Sequence, residues 1–188
     1  MGAIRTPRRR WIEEGLRALA AGGVDAVRIE PLAQALGVSK GGFYGFFRNR
    51  GALLEDMLDT WEREVTEEVI DAVESGGGDA REKLDRLFSY VENAEAADAP
   101  TKGAPVELAI RDWARRDESV AERLRRVDNR RMDYLRSLFD AICDDEVEAE
   151  VRSLITFSLR IGTYFIAAEH RGRSRDEVMR LARRHLLR

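Results

Sequence analysis

Between Ser39 and Arg50 the chain carries two hydroxyls and three cations: Ser39, Lys40, Tyr44, Arg48 and Arg50. Groups of this kind bond phosphate oxygens, and a lysine or serine that reaches into a groove also bonds base edges. Gly41, Gly42 and Gly45 stand among them and let a backbone approach closely whatever the cations hold. Arg28, a little upstream, is a further candidate contact. The chemistry open to such a set is recognition, and catalysis finds no support elsewhere. His170 and His185 are the only histidines, and Cys143 is the only cysteine. Metal-ligand spacing, a glycine-rich phosphate loop and a nucleophile motif are absent. The acidic run Asp144, Asp145, Glu146, Glu148 and Glu150 reads as a loop and a helix N-terminus, where acids are favoured electrostatically. The sequence is therefore read as a non-enzyme that needs no cofactor or metal.

Positioning these groups falls to the stretch IEPLAQALGVSKGGFYGFFRNR, from Ile29 to Arg50. It predicts two short helices joined by a tight turn, the arrangement that places one helix in the major groove of DNA. Leu32, Ala33 and Leu36 give the first helix an apolar face, with Ala33 small at the crossing. Pro31 fits the first helical turn, which has no use for its missing donor. Gly37 supplies the left-handed residue a sharp reversal needs, Val38 plugs the turn, and Ser39 is the expected N-cap of the second helix. Phe43 and Phe47, four apart, are expected to face the first helix. Lys40, Gly41, Gly42, Tyr44 and Gly45 are left facing outward.

On these residues the chain resembles a known family. GVSKGGFYGFFRNRGALL, preceded by EPLAQAL, is similar to the DNA-binding domain of TetR-type transcriptional regulators, specifically over roughly Arg8 to Leu58. Beyond that only the length and the all-helical pattern fit. The resemblance implies a homodimeric repressor that binds double-stranded operator DNA and is released by a small molecule entering the C-terminal domain. It gives Tyr44 and Arg50 the role of phosphate contacts. Lys40 is the best base contact, with Ser39 and Arg28 behind it. The chain departs from the family pattern at Gly42, Gly45 and Phe46, where a hydroxyl, a larger residue and a phosphate-bonding histidine are frequent. Three glycines in this helix each cost up to ~1 kcal/mol of helix propensity. The expected recognition helix is frayed without DNA and reads shape more than base edges.

Net charge is -3 over 188 residues, but it is unevenly placed. Residues 1–50 hold nine Lys and Arg against four Asp and Glu, a net of +5. The remaining 138 residues hold 23 against 31, a net of -8. A basic head on an acidic body suits a protein that touches phosphate with one end. No apolar run approaches the ~20 residues that cross a membrane, and the N-terminal arginines have no apolar core behind them, so a secretory signal is not expected. The single cysteine fits a reducing compartment, so the expected location is cytoplasmic.

The expected fold is all-α: an N-terminal three-helix helix-turn-helix domain (1–49) and a C-terminal helical ligand-binding and dimerisation bundle (50–188), about nine helices in all. A first helix from Arg8 to Ala21 stops at Gly22-Gly23. A long helix from Arg50 to Glu74 carries Leu54, Leu58, Trp61, Val65 and Val69. Asp79 with Glu82, Asp145 with Glu148 and Ser174 with Glu177 are capping-box pairs opening later helices. Ala94 to Pro105 is aperiodic and expected to be a mobile loop. Further helices are expected from Val106 to Arg115, from Ser119 to Ile142 and from Glu146 to about Glu169.

The last of these is apolar around most of its circumference, and small residues Ser158 and Gly162 allow another helix to approach. Val151, Leu154, Ser158, Gly162, Phe165, Val178, Leu181 and Leu186 are the expected homodimer surface. Two heads would then read half-sites one helical turn apart. Trp61, Phe88, Trp113, Arg131 and Tyr164 are the candidate lining of an effector pocket. Asn93, Glu107, Arg111 and Thr156 are polar groups that could orient its occupant, a mostly apolar or aromatic compound. Arg131 falls between the apolar positions Val127 and Leu135 and needs an acidic partner if it points inward. The alternative is a dimeric DNA-binding regulator with no small-molecule effector, its body a protein-interaction module.

Overall fold

A computed structural model describes residues 7–96 and 103–187 of the chain. The elements are α1 (Arg8–Gly22), a 3-10 turn (Val24–Ala26), α2 (Ile29–Ala35), α3 (Lys40–Phe43), α4 (Arg50–Glu62), a π-helical segment (Arg63–Glu67), α5 (Glu68–Ser75), α6 (Ala80–Ala96), α7 (Ala104–Ala114), α8 (Glu118–Asp140), α9 (Glu146–Gly162) and α10 (Arg175–Leu186). Taking Arg50 to Ser75 as one continuous rod gives nine helices among the described residues, with no strand; the only β feature there is an isolated bridge between His170 and Arg173.

The head is built as its residue types dictate. α1 buries Trp11, Ile12, Leu16 and Leu19 on one side. It ends at Gly23, whose amide donates to the Leu19 carbonyl at 2.8 Å and whose φ of 71° turns the chain away from the helix. Gly15, which the apolar pattern does not single out, decides how closely α1 meets α4, since a Cβ there would stand 2.6 Å from Met57 Sδ. Gly37 has φ 67°, and the turn closes when the Val38 amide donates to the Ala33 carbonyl at 2.9 Å. Phe43 and Phe47 stack at 5.1 Å between centroids, and Phe43 meets the Trp11 ring edge-on at 5.4 Å.

One apolar cluster runs from this head into the body across the junction at residues 49 and 50. It joins Trp11, Phe43 and Phe47 to Leu53, Met57 and Trp61 of α4, and to Ile110 and Trp113 of α7 and Val120 and Val127 of α8. A second cluster, with Leu84, Leu135, Leu138, Phe139 and Ala149, holds α6, α8 and α9 together.

Several sequence expectations change in detail. The helix from Arg50 is interrupted by the π-helical segment, which turns Glu64 and Thr66 inward, at 7% and 2% exposure. Asp79 and Glu82 form a full capping box, each accepting the other's amide, at 2.9 and 3.0 Å. Asp145 instead accepts from the Val147 amide at 3.1 Å, while Glu148 pairs with Arg152 at 2.6 Å. Ser174 caps α10 by accepting from the Glu177 amide at 3.1 Å. The stretch from Ala94 is helical to Ala96, and helix resumes at Ala104; the expected loop between them, residues 97–102, lies outside the described residues. α9 stops at Gly162 rather than near Glu169. Arg175 reaches back and donates to the Thr163 carbonyl at 2.6 Å and to that of Ile166, carbonyls a longer helix would use itself.

Candidate functional site

The recognition segment is presented by a rigid base. Phe43 and Phe47 anchor it from below, while Ser39, Lys40, Gly41, Gly42, Tyr44, Gly45 and Arg48 are all exposed. Its α-helical part is a single turn, Lys40–Phe43, followed by turns to Phe46. Ser39 occupies the N-cap position, but its side chain makes no capping bond, so the hydroxyl remains on the surface. Tyr44 is 54% exposed and braces its ring edge-on against Phe43 at 5.4 Å. The aromatic body is fixed and the phenol points away from the core, an arrangement suited to a positioning contact.

The head's cations divide into three groups. Lys40 forms an ion pair with Glu30 of α2, and the bond to each partner holds the Glu30 carboxyl below and the Lys40 amine above their ordinary values. Arg8 bonds Asp56 at 2.6 Å and lies over the Phe47 ring at 5.0 Å. Arg9 and Arg17 pair with Glu13 and Glu14 at 2.8 and 2.9 Å. Arg28 and Arg48 are exposed and make no ion pair with any described residue. Arg50 differs from the sequence expectation. Its guanidinium turns inward and donates to the carbonyl oxygens of Val27, at 2.6 Å, and Val24. Those bonds make it a clamp between α4 and the 3-10 turn, while its backbone amide, at the N-terminus of α4, is placed where an anion is favoured. Asn49, which the sequence reading passed over, caps that helix by accepting from the Ala52 amide at 2.9 Å.

Under the head, the body forms a partly open cavity of about 590 Å³ between the π-helical segment, α5, α6, α8, α9 and α10. Phe88, Arg131 and Tyr164 line it as expected. Trp61 and Trp113 do not. They lie in the apolar cluster at 1% and 7% exposure, where α4 and α7 both pack against α1. Of the polar candidates, Glu107 and Thr156 reach the wall, and Asn93 and Arg111 stay off it. Glu64 and Thr66 also line it, and the sequence pattern misses them because a π turn shifts the helical register by one residue. The hydroxyls of Thr66 and Thr156 are buried without a hydrogen-bond partner among the described residues.

Beside the cavity sits a buried charge network. Arg131 meets both oxygens of Glu107 at 3.2 Å, supplying the acidic partner its position called for. It also lies 5.5 Å from the centre of the Trp61 ring. Arg111 adds a bond to Glu107 at 2.9 Å and a two-pronged contact to Asp128 at 2.9 and 2.8 Å. Burial pushes the Glu107 carboxyl up, and the two guanidiniums more than offset it, so the group stays below its ordinary value.

The far side of the body carries an apolar face. Val151, Leu154 and Phe165 are exposed at 44%, 54% and 67%, and Leu181 of α10 at 38%. Ser158 is exposed there too, while Gly162 and Val178 are half-buried. Val147, Ile155 and Ile166, outside the expected set, extend this face at 67%, 42% and 49%. Leu186 instead turns toward the cavity wall.

Residues 12–57 match the model of the bacterial regulatory proteins of the tetR family. No curated protein matches the sequence. Solved structures share the fold over nearly the whole chain. A transcriptional regulator of the TetR family from Agrobacterium tumefaciens superposes with a TM-score of 0.71 at 16% identity, covering 96% of this chain and 95% of that one. A putative transcriptional regulator from Pseudomonas aeruginosa PAO1 gives 0.72 at 16% identity, covering 96% and 88%. A putative transcriptional regulator from Saccharomonospora viridis, in complex with choline, gives 0.70 at 23% identity, covering 95% and 92%.

Proposed function

We propose, from the premise that this chain belongs to the tetR family of bacterial regulatory proteins, that it is a cytoplasmic DNA-binding repressor which a small molecule releases from its operator. The observation that carries the reading is a single connected arrangement. An exposed helix-turn-helix face and a cavity of about 590 Å³ are joined by the rod from Arg50 to Ser75.

In this reading residues 1–49 hold DNA and residues 50–188 bind the effector and the second subunit. Tyr44, Arg48, Arg28 and the Arg50 backbone amide take phosphates. Lys40 and Ser39 reach base edges, and Gly41, Gly42 and Gly45 let the backbone close on the groove. No step of catalysis is assigned. The cavity favours effector control over a body that only binds proteins, since it has the size and the aromatic and aliphatic lining of a small-molecule site.

Coupling follows from the rod. Its π-helical segment forms cavity wall directly after Trp61, which is fixed in the core shared with the head. Arg123 of α8 grips α4 through Glu55 at 3.1 Å, Asp59, and Glu62 at 3.1 Å. An effector that prefers one setting of the π turn shifts the tilt of α4, and with it the separation of two heads. The exposed α9 face, with Leu154 and Phe165, is the surface on which a second copy would sit.

Selection of bound duplexes from a random pool should yield a two-fold symmetric site, and a ligand screen on that duplex should find compounds that release it. Sedimentation should show a dimer at low micromolar concentration, converted to monomer by Leu154→Glu. A stable wild-type monomer, or DNA affinity indifferent to every compound that binds the body, overturns the corresponding part of the reading.

A further inference from the structure

The cavity wall holds one buried carboxylate without an adequate partner among the described residues. Glu64 is 7% exposed. Its only ion-pair partner among the described residues is the neighbouring Arg63, at 3.7 Å, on a side chain 58% exposed to solvent. No hydrogen bond reaches the Glu64 carboxylate from any described side chain. The contrast with Glu107 is informative, because that carboxylate is buried to the same degree and receives two guanidiniums. A buried carboxylate with no donor is costly, and the cost is recovered when a cation arrives.

The cavity's arginines do not compensate for it. Arg131 is held by Glu107, Arg183 by Asp85 at 2.5 Å, and Arg175 by main-chain carbonyls. Arg160 lies over the Tyr164 ring at 4.8 Å, and Arg180 is exposed. Of the two buried carboxylates in the wall, Glu64 and Glu107, Glu64 is therefore the one that still calls for a cation. Tyr90, Tyr134 and Phe157 add aromatic surface, whose ring faces attract cations, while the Phe88 ring already carries Arg183 at 5.0 Å.

We propose that the effector cavity selects an organic cation, an ammonium compound with an apolar body, whose charged head lies against Glu64 and whose body fills the aromatic and aliphatic wall. The proposal rests on the reading of this cavity as an effector site and adds the charge of the occupant and the residue that selects it. Glu64 stands on the π turn, so the head group would engage the segment through which the rod's tilt is set.

Three probes of equal chain length separate the possibilities: decyltrimethylammonium, decanol and decanoate, titrated by calorimetry below their aggregation concentrations. The ammonium is expected to bind at least about 10-fold more tightly than the other two, the scale of one charge-assisted contact in a buried site. Glu64→Gln should abolish that preference while leaving decanol binding unchanged, which also shows that the variant is folded. Glu64→Asp should keep part of the preference. If decanol or decanoate binds as tightly as the ammonium, or Glu64→Gln keeps the preference, the cation proposal is overturned while the effector cavity stands. If none of the three binds, both fall.

Discussion

The Arg50 guanidinium donates its Nε to the Val27 carbonyl oxygen at 2.6 Å, fastening the start of the long rod to the turn that precedes the helix-turn-helix. This bond, with its companion to Val24, fixes the recognition segment relative to α4. A tilt of the rod is thereby carried to the DNA-reading face instead of being absorbed at the junction.

Arg50→Ala should cost on the order of 2 kcal/mol of stability, the worth of hydrogen bonds from a charged group to part-buried carbonyls. DNA affinity should fall through the loosened head, with the slope of log affinity against log salt unchanged. Loss of a phosphate contact would instead flatten that slope by about 0.9. Denaturant unfolding and filter binding over a salt series distinguish the two.

Lys40 is held by Glu30 in the free protein. Glu30→Gln should release Lys40 and remove a negative charge from the DNA-facing surface, so DNA affinity at low salt should rise and the salt dependence should steepen. A Lys40→Ala variant on the same duplex should lose affinity and relax preference at one base position. An unchanged base preference would remove Lys40 from the reading set.

The buried Glu107–Arg131 pair should govern acid stability. Glu107 is held below its ordinary value of 4.5 in the folded state. Its contribution is therefore complete above that pH and is lost as pH falls below it through the lowered folded value. Glu107→Ala should cost about 3–5 kcal/mol at neutral pH, because Arg131 is left buried without its carboxylate. The variant should also lose part of the wild-type drop in stability below pH 4.5, as measured by unfolding at a series of pH values.

Gly42 has no heavy atom within 4 Å of where a Cβ would stand. Gly42→Ala should therefore stabilise the recognition turn by up to ~1 kcal/mol and raise hydrogen-exchange protection over residues 41–45. DNA affinity should nevertheless fall, since the added methyl occupies space the backbone needs at the groove. Strong protection already present in the wild type would contradict the frayed-helix reading.

The head was legible in the sequence because its signals are local. Gly37 marks a reversal that no residue with a Cβ makes easily, and Phe43 with Phe47 marks one face of one turn. The cavity was only partly legible. Trp61 and Trp113 have the size and spacing of lining residues, yet both are turned into the core by helices distant in sequence. Glu64 and Thr66 read as positions on a regular helix until the π turn rotates them inward. The end of α9 is set by Arg175, thirteen residues beyond Gly162, which no periodicity in α9 announces.

The sequence by itself determined the helical class, the helix-turn-helix, its basic and glycine-rich face and the helix boundaries set by caps. Those depend on residues a few positions apart, within reach of one turn or one hydrogen bond. The tertiary structure alone decided which side chains meet across helices. It gave Lys40 to Glu30, turned Arg50 into a clamp, paired Arg131 with Glu107 and left Glu64 without a donor at the cavity wall. Pairing and orphaning of charges depend on where whole helices come to rest, a property of the packed core that no local pattern encodes.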